Sequence, residues 1–167
     1  IIFLMTEKKS STNRRISVLI PNYNGSSTIG KCLEGAFSSA YDNFEVIVAD
    51  DCSTDNSVEI IKRFPCRLIA LDKNSGASKA RNAGAKEGSG EIFFFIDSDC
   101  VMQKDTLAAV NKVFDKNAIT GGTYTKIPYD DSFFSAFQSI FINYSETKRE
   151  APDYIATHAM AIDPVLF

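Results

Sequence analysis

The chain has 167 residues, with 18 Lys+Arg against 21 Asp+Glu, a formal net charge of −3, and 44% hydrophobic and 23% charged positions. This composition is that of one soluble globular domain able to bury a substantial core without staples, and it excludes collagenous and wholly disordered classes. The mildly acidic balance also speaks against a dedicated nucleic-acid binder, whose phosphate contacts would show as a basic excess.

The opening, Ile1 to Met5, is apolar but too short for a signal-peptide core or a membrane span. The chain does not begin with Met, so the residues before Met5 read as foreign to the natural start, or the chain as a fragment. Thr6 to Arg15 is polar and basic without hydrophobic period. Residues 1–15 are therefore expected to form a flexible lead-in, and residues 16–167 the folded domain.

From Ile16 onward, short β-branched or aromatic runs alternate with segments of helical spacing, the pattern of βαβ units around a mostly parallel sheet. The first strand, Ile16 to Ile20, ends at Pro21, which cannot donate a ladder bond. A polar loop follows, then a helix from about Thr28 to Ala40 with Ile29, Leu33 and Phe37 on one face. The second strand, Phe44 to Ala49, is closed by Asp50-Asp51. Ser53-Thr54-Asp55 supplies capping oxygens for a helix whose Val58, Ile61 and Phe64 face the sheet and which Pro65 ends.

Cys66 to Leu71 reads as a third strand. Gly76 to Gly88 holds a third helix, with Ala80, Ala83 and Ala85 permitting close approach. Ile92 to Ile96 is apolar at every position and belongs at the buried centre of the sheet. Lys104 to Phe114 predicts a fourth helix and Ala118 to Tyr124 a strand. Asp131 to Thr147 predicts a helix with a broad apolar face, Phe133, Phe134, Phe137, Ile140 and Phe141, which packs on the sheet or, where a following segment that covers it is missing, is left exposed. Ile155 to Ile162 predicts a last strand, and Asp163-Pro164 a helix start.

Ligands of open α/β sheets collect beyond the carboxyl ends of the strands. Three polar clusters sit there: Pro21-Asn22-Tyr23-Asn24, Asp50-Asp51 and Asp97-Ser98-Asp99. Four carboxylates converging on one sheet edge repel one another unless a cation or a set of donors compensates. Asp97 and Asp99 suit a hard divalent cation, Mg²⁺ or Mn²⁺, whose shell substrate phosphates would complete, because alternate residues of an extended stretch point the same way.

Other chemistries find little support. No Walker A or dinucleotide fingerprint follows a strand. His158, the single histidine, has no serine or cysteine partner for a nucleophilic triad and reads as a satisfied strand residue. Cys32, Cys52, Cys66 and Cys100 lie far apart without a CxxC pair, as reduced thiols of a cytosolic protein do. Asn24 and Asn143 head Asn-x-Ser triplets that would matter only in a secreted protein.

Ile16 to Asn24, Val46 to Asp55, Asn74 to Gly84 and Phe95 to Asp99, in this order and spacing, resemble the opening of a family 2 glycosyltransferase. The resemblance implies a GT-A fold, an α/β Rossmann-like mostly parallel sheet with flanking helices. It further implies a nucleoside-diphosphate sugar donor, usually a UDP-sugar, and metal-dependent inversion at the anomeric carbon onto a saccharide or lipid acceptor hydroxyl, as in cell-wall or polysaccharide synthesis. A donor-binding fragment without turnover and a sugar nucleotidyltransferase are the alternatives.

By that similarity Pro21 and Tyr23 border the nucleoside and Asp50 accepts a hydrogen bond from the base. Asn22, Asp51, Gly76 and Ser98 belong to the nucleotide-sugar site, and Lys79 and Arg81 lie in the segment that lines it. Arg81 could equally be a structural partner of an aspartate. Asp97 sits near the ribose and sugar, and Asp99 with Asp97 holds the metal. No catalytic base is identifiable; it is expected beyond Phe167. Cys100 stands where many relatives carry another Asp. The expected location is cytoplasmic, at the inner face of the membrane with a peripheral contact.

Overall fold

The computed structural model describes residues 2–3, 12–127, 132–148 and 155–167. The described strands are β1 (Ile2–Phe3), β2 (Ile16–Asn22), β3 (Phe44–Asp50), β4 (Arg67–Ala70), β5 (Ile92–Ile96), β6 (Thr120–Thr123) and β7 (Ala159–Ile162). The helices are α1 (Ile29–Phe37), α2 (Ser57–Ile61), α3 (Ala77–Glu87), α4 (Thr106–Val113) and α5 (Phe133–Thr147). The strands form one sheet in the order β1-β6-β7-β5-β2-β3-β4.

At the centre, β5, β2, β3 and β4 run parallel, with Val18 opposite both Val46 and Phe94. β7 runs antiparallel between β5 and β6. All seven residues of β2 and all five of β5 are buried, as runs apolar on both faces require. Alternation then divides the core. Ile16, Val18, Ile20, Val48 and Phe94 pack with α1, α2 and α4 on one face, while Leu19, Ile47, Phe93 and Phe95 pack with Ala85 of α3 on the other. On this second face the Phe167 ring lies 4.9 Å from that of Phe95.

Parallel strands joined by helices place their carboxyl ends along one edge of the sheet. There, the loop after β2 is laced to the loop after β3. Asn24 Oδ1 accepts from Thr54 N at 2.8 Å, and Asp55 accepts from Ser26 N and Ser57 N, each at 2.9 Å. Asp55 thus supplies the capping oxygen for α2 from the residue before the N-cap.

Several expectations need correction. The aromatic face of α5 does not pack on the sheet: Phe133, Phe134, Phe137, Ile140 and Phe141 are exposed, Phe134 at 81%. What α5 turns inward is Asn143, whose Nδ2 donates to Tyr124 O at 2.7 Å; this burial also removes Asn143 as a modification site. At Asp163-Pro164 the chain enters a turn, in which Asp163 O accepts from Leu166 N and Asp163 Oδ1 from Val165 N.

His158 lies in the turn before β7 rather than in the strand, stacked on Tyr124 with its Nε2 3.7 Å from Glu146 Oε2. Within the expected lead-in, Ile2–Phe3 pairs with β6, and Tyr41 Oη donates to Arg14 O at 2.6 Å. The rest of that segment, residues 1 and 4–11, lies outside the described residues.

Candidate functional site

A cleft of about 560 Å³ opens at the carboxyl edge of the sheet, above β2, β3 and β5. From the end of β2 come Pro21, Asn22 and Tyr23; from the end of β3, Asp51; from α3 and the residue before it, Arg81 and Gly76; from the loop after β5, Asp97, Ser98 and Asp99. Tyr23 is half exposed on the rim. Nine of the residues singled out by sequence therefore line one cavity, and two, Asp50 and Lys79, do not.

The separation of Asp50 from Asp51 follows from the pleat, which sends successive side chains to opposite faces. Asp50 is buried. Its Oδ1 accepts from Asn22 Nδ2 at 2.7 Å and Ser53 Oγ at 2.6 Å, and its Oδ2 from Ser53 N at 2.9 Å. Its carboxylate is committed to binding the two loops together. Asp51, equally buried, faces the cleft while accepting from Ser75 N at 2.8 Å and Gly76 N at 2.7 Å. These bonds hold the turn in which Gly76 takes φ +90° ahead of α3, a conformation open to a residue without Cβ.

Lys79 is exposed on α3. Arg81, two residues and about 200° further round the helix, reaches β5, where its Nη2 donates to Asp97 Oδ1 at 2.5 Å. Three of the four carboxylates are thus compensated by donors of the chain itself. Asp99 is exposed, and the Cys100 thiol lies 3.6 Å from its Oδ1.

Among the described residues no group of three or more His, Cys, Asp or Glu side chains could hold a metal ion. The carboxylate oxygens at the cleft that are not held by a donor of the chain are those of Asp99 and the Asp97 oxygen not taken by Arg81. Two carboxylate oxygens fit Mg²⁺ or Mn²⁺ when phosphate oxygens and waters complete the shell.

The thiols near the site are inert. Burial, reinforced by Cys100, Asp99 and Asp97, pushes the Cys32 thiol far up. Burial likewise pushes Cys100 up to about 12, beside Tyr124 Oη at 3.3 Å. All four cysteines are free.

Sequence reasoning missed Gly25, Thr28 and Ala80 as lining residues. A signal existed for Gly25, the one glycine of the loop after β2: a Cβ there would overlap Asn22 Oδ1. Thr28 and Ala80 carry no chemical mark in the sequence and reach the cleft only because α1 and α3 begin at its edge.

A family model described as Glycosyl transferase family 2 matches residues 17–165. Glycosyltransferase GlyA of Streptococcus pneumoniae serotype 4 is 32% identical over 153 residues, covering 80% of this chain and 22% of that protein. Glycosyltransferase GlyG of the same organism is 32% identical over 127 residues, covering 71% of this chain and 42% of that protein. The chain spans less than half the length of these curated relatives.

The crystal structure of Staphylococcus aureus TarS 1-349 in complex with UDP matches with a TM-score of 0.55 and 35% identity, over 56% of this chain and 30% of that one. The mannosyltransferase PcManGT from Pyrobaculum calidifontis, in complex with GDP-Man and Mn²⁺, matches with a TM-score of 0.68 over 92% of this chain and 45% of that one. At 22% identity this second likeness speaks for the fold.

Proposed function

Since the chain belongs to glycosyl transferase family 2 and carries the α/β sheet of the GT-A fold, we propose that it binds a nucleoside-diphosphate sugar, a UDP-sugar first of all, for inverting transfer to an acceptor hydroxyl. The observation that carries this reading is the convergence of Asp51, Arg81, Asp97 and Asp99 on one cleft at the carboxyl edge of the sheet. Relatives and neighbours act on or bind such donors by their names: TarS was solved with UDP and with UDP-GlcNAc.

In this reading the base stands between Tyr23 and Asp51. Asp51, and not Asp50, presents the carboxylate that accepts its N–H, because Asp51 lines the cleft and Asp50 does not. Arg81 fixes Asp97 beside the ribose and sugar. Asp99, with the second oxygen of Asp97, would hold Mg²⁺ or Mn²⁺, which supplies Lewis-acid stabilisation of the leaving diphosphate. The acceptor oxygen bonds the anomeric carbon from the opposite face as the bond to the diphosphate breaks, and the hydroxyl proton passes to a general base.

The polar, committed character of Asn22, Asp50 and Ser53 serves preorganisation: the loops that shape the cleft are tied before ligand arrives. Titration calorimetry of the chain with UDP, with and without Mn²⁺, tests the reading. The expected result is UDP binding that tightens with the metal, and no heat with any nucleoside diphosphate under either condition overturns it.

A further inference from the structure

Polar groups moor α5 to the body of the protein. Asn143 is buried and donates from Nδ2 to Tyr124 O at 2.7 Å, and Glu146 Oε2 stands 3.7 Å from His158 Nε2. Ser135, Gln138 and Ser139 border a cavity of about 650 Å³ beside the cleft. These contacts fix the rotation of the helix about its axis. The face they turn outward carries Phe133, Phe134, Phe137, Ile140, Phe141 and Tyr144, each more than half exposed. No charged residue falls on it; the one charge of the helix, Glu146, lies on the inner side.

This face has relief as well as area. Phe133, Phe137 and Phe141 follow one another at i, i+4 and i+8, and their rings stack at 6.4 and 5.7 Å with interplanar angles of 19° and 13°. They make a continuous ridge. Ala136, Ile140 and Tyr144 form the neighbouring row at the same pitch, and a groove runs between the two rows. A face that carries a ridge and a parallel groove is complementary to a copy of itself. Turned about a two-fold axis near Phe137 and Ile140, each ridge enters the other's groove, the packing that crosses helices at about −50°.

The area agrees. A fully buried aromatic side chain covers about 150–250 Å², so the exposed parts of these five rings amount to about 500–800 Å². An interface of standard size takes about 800 Å² from each partner, and a specific one clears about 1,000 Å² in total. Monomers rarely leave so large an apolar patch in water. A bilayer is the poorer match: helices that lie on a membrane carry Lys and Arg along their polar side, and α5 has neither among its 15 residues.

We propose that the aromatic face of α5 is a homodimer interface, on which a second copy of this chain seats its own α5 about a two-fold axis. The pairing is isologous, so it closes at two subunits. It takes up no residue that lines the cleft, so it stands whether or not the donor reading does.

Sedimentation velocity on the 167-residue chain, in reducing buffer that keeps its four cysteines free, tests the proposal. Concentrations from about 1 to about 200 µM bracket micromolar affinity, and a reversible monomer–dimer equilibrium is expected. Phe137→Glu sets two like charges near the axis and is expected to weaken association at least about tenfold. Thermal unfolding of the monomer should stay unchanged, because the site is open to water. Phe141→Glu serves the same purpose should Phe137→Glu fail to fold. Mixing Phe137→Glu with Phe137→Lys is expected to restore the dimer, since a two-fold axis brings position 137 of both copies together.

A chain that stays monomeric across the range, that grows past the dimer with concentration, whose dimer survives both substitutions, or whose two oppositely charged variants do not combine overturns the proposal. So does binding to phosphatidylcholine–phosphatidylglycerol vesicles that Phe137→Glu abolishes, in a chain that forms no dimer without them.

Discussion

Arg81 Nη2 lies 2.5 Å from Asp97 Oδ1, tying the second turn of α3 to the end of β5. The Arg81 side chain is 16% exposed and that of Asp97 34%, so the pair stands between a solvated ion pair and a buried one. Arg81→Ala leaves Asp97 partly desolvated beside Asp99 and is expected to cost about 1–3 kcal/mol of stability. UDP affinity should fall with it. Arg81→Lys keeps the charge but loses the planar fork and should recover only part of both. Urea unfolding and calorimetry on the two variants measure this, and wild-type UDP affinity in Arg81→Ala would remove Arg81 from the site.

Asp99→Asn removes the charge of the exposed carboxylate without emptying its space. UDP affinity measured with Mn²⁺ should drop toward the value measured in EDTA, and the EDTA value should stay where it was. An unchanged metal-dependent increment would count against Asp99 as the ligand.

Asp50 and Asp51 give opposite expectations. Asp50→Asn breaks a buried carboxylate network with Asn22 and Ser53 and should cost about 1–3 kcal/mol. Asp51→Asn should weaken UDP binding several-fold and loosen the Ser75-Gly76 turn, visible as faster amide exchange at those residues. If Asp50→Asn alone abolishes binding in a fully folded chain, the base contact belongs to Asp50 after all.

Which of two neighbouring carboxylates reaches a cleft is not legible in sequence, because it depends on the phase of the pleat where β3 ends opposite Asn22. The strands themselves were legible. Apolar runs mark the central strands and the edge on which the site forms, but not their ends: β2 runs on through Pro21 to Asn22 and β3 through Asp50, with Pro21 opposite Ala49 and Asn22 opposite Asp50. Lys79 and Arg81 looked alike in one motif, and helical geometry alone decides that they point apart. Periodicity in α5 showed an apolar face correctly, yet periodicity carries no information on the direction a face is turned.

Acid should destabilise the chain through two carboxylates outside the cleft. Burial pushes the Glu45 carboxyl up, but hydrogen bonds from Ser17 and Ser89 and the charge of Arg15 outweigh it and hold Glu45 below its usual value. Burial likewise pushes Asp55 up and is outweighed by hydrogen bonds from Ser57 and Ser26. Both are depressed in the folded state. Their stabilisation is therefore complete above the unfolded values, about pH 4, and is lost as pH falls through the folded ones. Thermal melts should show Tm falling below about pH 4, and Glu45→Gln with Asp55→Asn should flatten that fall while lowering Tm at neutral pH.

Cys52 adopts φ +63° between Asp51 and Ser53. A residue with a Cβ pays about 1–2 kcal/mol there, so Cys52→Gly should raise stability by about 0.5–1 kcal/mol after the added freedom of glycine in the unfolded chain. A shift of the urea midpoint to higher concentration at constant slope is the expected signature. An unchanged or lower midpoint would mean that the contact of Cys52 Sγ with Asp72 O at 3.8 Å matters more than the backbone.

Ser27, Thr28 and Asp99 belong to two cavities at once. A ligand in the cleft that moves this common wall also changes the affinity of any ligand in the neighbouring cavity of about 650 Å³, and by linkage that factor is returned in full. The sign of that factor, read from paired titrations in either order, tells whether the two ligands assemble cooperatively or displace one another.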